Sequence, residues 1–254
     1  AAADWRLPRV LSALEAAAPG VAAVDAPPRR VLVAEPGRGR LGRLIADRLR
    51  PGDAVTLLAG IAEDRPPAPG GRYDEHFVEH REHAASLDVR TLTTGRWPLD
   101  AATPPFDLIV LDGCLAADIA AASADALLDE ARGHLAPDGR LVAIEDESAT
   151  LLLHPPVPRV EAAWSDRCRR LVVRGRDTAV IRRLPERLDR HRLQALSTGV
   201  ASLGAVHGEP EFRDVIDLVA DLLRTGPGGE SVDPDLAIES LEAWRRRPGG
   251  AIWW

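Results

Sequence analysis

The sequence predicts an α/β fold with a mainly parallel sheet, a C-terminal antiparallel strand and a helical C-terminal extension. Three observations lead there. Short apolar runs at 31–34, 54–58, 89–93, 106–111 and 141–144 alternate with segments of helical period. Strands separated by helices pair in parallel and are covered on both faces. Two segments flanking Gly175-Arg176-Asp177 read as a hairpin, which brings an antiparallel pair late in the chain. Beyond Pro185 the strand pattern gives way to helix. The expected organisation is an N-terminal helix and linker over 1–30, an α/β core over 31–184 and a helical extension over 185–254.

Taken in order, Pro8 to Ala18 forms an amphipathic helix, with Val10, Leu11 and Leu14 on one face. Val31 to Ala34 is a buried strand. A helix over Leu41–Leu49 ends at Pro51-Gly52, and Ala54–Leu58 is the second strand. Arg65 to Arg72 is loop, Tyr73 to Ser86 helix and Val89 to Thr93 the third strand. Phe106 to Leu111 is a very apolar fourth strand ending at Asp112. A helix over Ala120–His134 and a turn at Pro137-Asp138-Gly139 lead into the fifth strand, Leu141–Ile144. The hairpin pairs Arg170–Arg174 with Thr178–Arg182. After Pro185, the residues Phe212, Val215, Ile216, Val219, Leu222 and Leu223 make one helical stripe. Asp233-Pro234 opens a last helix through Trp244.

Composition narrows the function. Apolar residues are 45% of the 254, enough for a full core. The net charge of −7 disfavours sequence-independent nucleic-acid binding, which rests on a basic surface. No run approaches the ~20 apolar residues of a membrane span, and no membrane partner is expected. Two cysteines make neither a disulfide framework nor a metal cluster, which fits a reducing cytoplasm. Every basic side chain is Arg, with no Lys, Asn or Met; a very GC-rich bacterial genome accounts for that. Surface positive charge therefore has to be Arg, so an arginine is weak evidence for a phosphate site.

Gly37-Arg38-Gly39-Arg40-Leu41-Gly42 fits G-x-G-x-x-G between a strand and a helix. Glycines let the backbone approach a ligand, and the helix N-terminus offers free N–H groups. A tight strand-to-helix turn explains the glycines equally simply. NAD(P) binding asks for an acid about 20 residues on, at the second strand's end. That region reads Leu57-Leu58-Ala59-Gly60, with Glu63 and Asp64 later in the loop.

Four segments in order carry a resemblance. Val31-Leu32-Val33-Ala34-Glu35-Pro36-Gly37-Arg38-Gly39 resembles the first motif of the class I AdoMet-dependent methyltransferases. Phe106-Asp107-Leu108-Ile109-Val110-Leu111-Asp112 resembles their fourth-strand motif, and Leu135-Ala136-Pro137-Asp138-Gly139 the turn before their fifth strand. The hairpin matches their reversed last strand. The resemblance spans about residues 31–183 and implies a Rossmann-like sheet with S-adenosyl-L-methionine as cofactor. It implies cofactor contacts from Glu35, Pro36, Gly37, Arg38, Gly39, Ala59, Gly95, Arg96, Trp97 and Asp112. Two alignments of the loop stand open. Aligned on Gly39, Glu35 takes a glycine position and its carboxylate meets the cofactor's own carboxylate, with Arg38 as a neutralising neighbour. Aligned on the acid, Glu35 is the motif's acid and Leu41 replaces the third glycine. Ala59 stands where an acid usually grips the ribose, and Thr94-Gly95-Arg96-Trp97 lacks the acid near the adenine.

Methyl transfer needs an aligned acceptor and often a base. Asp112, closing the fourth strand, is the best-placed catalytic candidate, and a helix cap is an equal reading of it. His154, on a loop able to cover the site, is the second. Glu145, Asp146 and Glu147 follow the fifth strand as acceptor contacts or a solvated loop. His76, His80 and His83 lie at helical spacing among Glu75, Glu79 and Glu82, which reads as a charged face; no metal is expected. The arginines from Arg167 to Arg192 could contact phosphate, RNA or an acidic partner, but the preferred reading is polar hairpin edges in a chain with only Arg for positive charge. Three functions follow: methyl transfer to a small-molecule acceptor, a methyltransferase-fold pseudoenzyme serving as a binding or scaffolding subunit, and an NAD(P) oxidoreductase. The apolar stripe and Ile252-Trp253-Trp254 must be covered by the sheet domain, by the Trp244 helix, or by a homodimer or related subunit.

Overall fold

A computed structural model of the chain describes residues 6–17, 27–35, 40–59, 85–91, 97–100, 102–116, 124–145, 147, 149–199, 204–209, 211–225 and 232–253. The chain divides into two compact units. One holds residues 3–145 and 184–194, the other 146–183 and 195–254.

The first unit is the α/β unit. Its described elements are α1 (Arg6–Ala17), β1 (Arg30–Glu35), α2 (Arg40–Ala46), β2 (Ala54–Ala59), β3 (Ser86–Thr91), β4 (Phe106–Asp112), α3 (Ala124–His134) and β5 (Leu135–Ile144). All five strands are parallel, in the order β3-β2-β1-β4-β5. β1 is central, as an unbroken apolar strand must be when both of its faces are covered. Val31 and Val33 on one face join Val10 and Leu14 of α1, Leu41 and Ile45 of α2, and Val55, Leu57, Leu108 and Val110 in one core. Leu32 and Ala34, on the opposite face, are equally buried. The expected turn at Pro137-Asp138-Gly139 falls inside β5. Phe106 pairs with Leu135 and Leu108 with Arg140, so residues 136–139 bulge between two registered pairs. The expected helix from Tyr73 lies outside the described residues, except that Ser86 opens β3.

Two acids, one buried and one half-buried, align the amino edge of the sheet. Asp53, fully buried, precedes β2. It accepts from Arg29 N–H at 2.8 Å, from Arg29 Nε and Nη2 at 3.1 and 3.0 Å, and from Arg50 N–H and Nη2 at 3.2 Å each. Its carbonyl accepts from Ser86 N–H, so the starts of β1, β2 and β3 meet at one residue. Asp107 accepts from Arg30 N–H at 2.8 Å and joins β4 to β1 in the same way. Helix α3 also holds the returning segment 184–194. The ring of His191 stands between two carboxylates, Nδ1 2.8 Å from Asp129 Oδ1 and Nε2 3.2 Å from Asp125 Oδ1. Arg132 Nη1 donates to the His191 carbonyl at 3.4 Å.

The second unit contains β6 (Leu152–His154), α4 (Pro158–Val173), the start of α5 (Val180–Arg190), β7 (Gly204–Val206), α6 (Glu211–Thr225), α7 (Pro234–Arg245) and β8 (Ala251–Trp253). Helix α5 passes from this unit to the first between Arg183 and Leu184. The three short strands form an antiparallel sheet, β6-β8-β7. The stripe Phe212, Val215, Ile216, Val219, Leu223 is buried against Trp164 of α4, against Leu241 and Trp244 of α7 and against Ile252 of β8. Of the covers open to that stripe, the helix ending at Trp244 is one the structure supplies. Asp233 caps α7, accepting from Asp235 N–H at 2.9 Å, with Pro234 in the first turn. Among the described residues no helix is long and apolar enough to cross a membrane.

The hairpin expected at 170–182 is corrected. Arg170–Val173 ends α4, a turn with Gly175 at φ +82° follows, and Val180–Arg182 begins α5. The β-branched residues there favour strand only locally. Pro158 in the first turn and the helically spaced Val160, Ala163, Trp164 and Leu171, all buried, make the helical pairing the one that fills the core. The C-terminal antiparallel strand of the fold is β8, in the small sheet.

The amino-edge cluster predicts a pH dependence. Burial pushes the Asp53 carboxyl up. The Arg29 N–H, the Arg50 and Arg29 side chains and the Arg29 charge outweigh it and hold the group below its ordinary value. A depressed folded value stabilises the fold above the ordinary carboxylate range, and that stability is lost as pH falls through the depressed value. Asp53→Asn should cost about 3 kcal/mol at neutral pH. In urea titrations the gap between variant and wild type should shrink toward acid; a gap that is constant with pH would contradict this role.

Candidate functional site

In a parallel sheet of this order the chain winds outward from β1 to β3, then returns to β4 on β1's other side. The strand order thus reverses at β1, and open α/β sheets receive ligands at the strands' carboxyl ends at such a switch point. Three acids stand at that edge. Glu35 ends β1, Asp112 ends β4 and Glu145 follows β5.

Glu35 does not extend from the edge. Its side chain turns onto the first turn of α2 and accepts from Arg40 N–H at 2.9 Å (Oε1), Leu41 N–H at 3.0 Å and Gly42 N–H at 3.2 Å (both Oε2). The donors are N–H groups of a helix start, where no intrahelical carbonyl is available. A buried carboxylate there satisfies them and meets the positive end of the helix dipole. Gly42 brings α2 close to β2: a Cβ at this position would lie 2.7 Å from Leu57 Cδ1, within the packed core. That is the use the third glycine of a G-x-G-x-x-G has in general.

Glu145 does for the next loop what Glu35 does for α2. It accepts from Leu115 N–H at 2.5 Å and Ala116 N–H at 3.3 Å. Gly113, at φ +66°, turns the chain after β4 while its N–H extends the ladder to the Ile144 carbonyl at 2.8 Å. The turn folds Cys114 back under the edge, where its Sγ donates to the Ala34 carbonyl at 3.0 Å and to that of Asp112 at 3.6 Å. Burial pushes the Cys114 thiol up, and the charges of Glu145, Asp112 and Glu35 push it further, well above the usual thiol range. Cys114 is therefore a neutral donor and not a nucleophile.

Of the expected site residues, Glu35, Ala59 and Asp112 stand at this carboxyl edge, with Ala59 paired to Glu35 across β1 and β2. Pro36, Gly37, Arg38, Gly39, Gly95 and Arg96 lie outside the described residues, as do His76, His80 and His83. Trp97 is buried, and its ring stacks on His134 with centroids 6.0 Å apart. His154 belongs to the second unit, exposed on β6 opposite Ala251. Among the described residues no group of three His, Cys, Asp or Glu side chains is arranged to hold a metal ion. Sequence reasoning passes over Cys114 and takes Glu145 for a solvated residue or an acceptor contact. Cys114's position two residues beyond the fourth strand's acid is the available signal.

No family model matches the chain, and no curated protein matches it. Among solved structures, a cyclopropane-fatty-acyl-phospholipid synthase-like protein from Lactobacillus casei resembles it with a TM-score of 0.47 and 16% identity, over 89% of this chain and 83% of that one.

The geometry makes Glu35 a stability residue. Glu35→Ala orphans three helix-start donors and should cost about 2–3 kcal/mol in chemical denaturation; an unchanged midpoint would refute the cap. The thiol of Cys114 should resist alkylation by iodoacetamide in the native chain and react only on unfolding, as read by mass spectrometry.

Proposed function

We propose that the carboxyl edge at β1 and β4 binds S-adenosyl-L-methionine, and that the chain is a methyltransferase-like protein acting on a small-molecule acceptor. One observation carries the reading: the Glu35 carboxylate already occupies the N–H groups of Arg40, Leu41 and Gly42. NAD(P) would bring a diphosphate to such a helix start, where it would meet a fixed negative charge. AdoMet brings no phosphate, and its sulfonium cation, set against the single charge of its own carboxylate, is favoured by the acids Glu35, Asp112 and Glu145 at this edge. The net charge of −7 supports a small molecule rather than nucleic acid as acceptor.

When bound, the cofactor supplies an electrophilic methyl group that an acceptor's lone pair takes as the C–S bond breaks. Asp112 is the residue assigned to the acceptor, orienting it and receiving its proton. Glu35 and Glu145 hold the surrounding backbone in place. A second reading is a binding subunit without catalysis, favoured by the engagement of those two acids with backbone N–H groups instead of with an open crevice.

Calorimetry with AdoMet, S-adenosylhomocysteine and NADP separates these readings. AdoMet should bind more tightly than S-adenosylhomocysteine, which lacks the sulfonium charge. Asp112→Asn should weaken AdoMet roughly tenfold while moving S-adenosylhomocysteine far less, because only the sulfonium feels the charge. Binding of NADP alone would overturn the proposal, and binding of none of the three would leave the scaffolding reading.

A further inference from the structure

The arginine cluster of the sequence is not a hairpin edge. With residues 170–182 helical, the end of α4 and the turn into α5 become an exposed tip. Arg169, Val172 and Val173 share the outer face of α4's last turns, and Val172 and Val173 are 56% and 86% exposed. Leu171 between them and Val160 and Trp164 behind them are buried, so the two valines are not part of the core. Residues 166–183 hold seven arginines against two aspartates, within a chain of net charge −7. Local partners neutralise only part of this charge. Arg169 and Arg170 share Asp166, at 3.4 and 2.5 Å. Arg182 is paired with Glu147 at 3.0 Å, and Arg183 with Asp177. Arg174 and Arg176, exposed on either side of Gly175, have no ion pair among the described residues.

We propose that this tip docks on an anionic lipid surface. Two β-branched side chains project at the apex and unneutralised guanidinium groups flank them. That is the arrangement of an interfacial insert, in which apolar residues enter the boundary between headgroups and acyl chains. Arginine stems lie along the apolar layer while the guanidinium groups reach headgroup phosphates. Nucleic acid would use the charge and leave the valines in water, and the tip offers no aromatic ring on which a base could stack. The expectation of no membrane partner rests on the lack of a spanning run, and a peripheral contact needs no span. The contact is electrostatically assisted, so it weakens with salt.

The test is flotation of the full chain with phosphatidylcholine vesicles, with and without phosphatidylglycerol, at low and high salt. Binding is expected on the anionic vesicles at low salt only. The double variant Arg174→Ser/Arg176→Ser should bind roughly thirtyfold more weakly. The double variant Val172→Ser/Val173→Ser should lose roughly tenfold with every charge retained. All four positions are exposed, and circular dichroism melts matching wild type establish that the variants fold. No binding to anionic vesicles overturns the proposal. So does binding that the valine substitutions leave unchanged, which would make the tip a general polyanion contact. Capture of soluble polyglutamate with the affinity shown for vesicles would assign the tip to an acidic protein partner and likewise overturn it.

Discussion

The carboxylate of Glu35 on the start of α2 is the contact from which the carboxyl edge takes its form. It places a negative charge at the end of β1, where this arrangement of strand and helix otherwise presents open N–H groups. The consequences reach both ways. Toward the core, the cap fixes where α2 begins, and with it the close approach of Gly42 to Leu57. Toward the crevice, its charge adds to the burial that holds the Cys114 thiol well above the usual range. Glu145 repeats the device one loop away, and the two together convert acids that look catalytic in a sequence into supports for backbone.

The core strands were legible for a simple reason. Val31–Ala34 and Phe106–Leu111 are runs without alternation, and only a doubly covered strand tolerates such a run in a chain this size. The α6 stripe and the Asp233-Pro234 start were legible because their signals are local: a 3.6-residue period and a cap. The residues at 170–182 were not. Val172, Val173, Val180 and Ile181 around a Gly-Arg-Asp turn satisfy every local criterion of a hairpin, and the decision for helix is made by burial of Val160, Ala163 and Trp164 in a core built largely from distant parts of the chain, α6 and α7 among them. The role of Glu35 was hidden for a related reason. Both alignments of the glycine loop are consistent as strings, and a side chain's hydrogen-bond partners are set by where the helix begins, which element boundaries read from sequence do not resolve. The absence of Lys also erased a contrast. Where Lys and Arg coexist, the choice of Arg is informative; here only the ion pairs of the folded chain separate a neutralised arginine such as Arg183 from an open one such as Arg174.

Aspartates do at the amino edge what glutamates do at the carboxyl edge. Asp53 and Asp107 bind the backbone N–H groups of Arg29 and Arg30, which lead into β1. A short side chain reaches one strand across and no further, so it fixes register between neighbours. The longer Glu35 reaches past the end of β1 to the start of α2, and Glu145 reaches across to the turn after β4. The acids thus hold register at the amino edge and loop geometry at the carboxyl edge.

The path of the chain has a consequence for how the protein is made. Segment 184–194 completes the α/β unit by seating His191 between Asp125 and Asp129 of α3, yet residues 146–183 of the other unit are synthesised first. When residue 145 leaves the ribosome all five parallel strands exist, but Asp125 and Asp129 of α3 lack the His191 ring between them until nearly fifty more residues have followed. The second unit is likewise unfinished until β8, its middle strand, has been made and can join β6 to β7. Neither half can be finished before the other is well begun. A nascent chain of this design holds incomplete surfaces while both units are under way, an interval in which chaperones engage unfinished proteins.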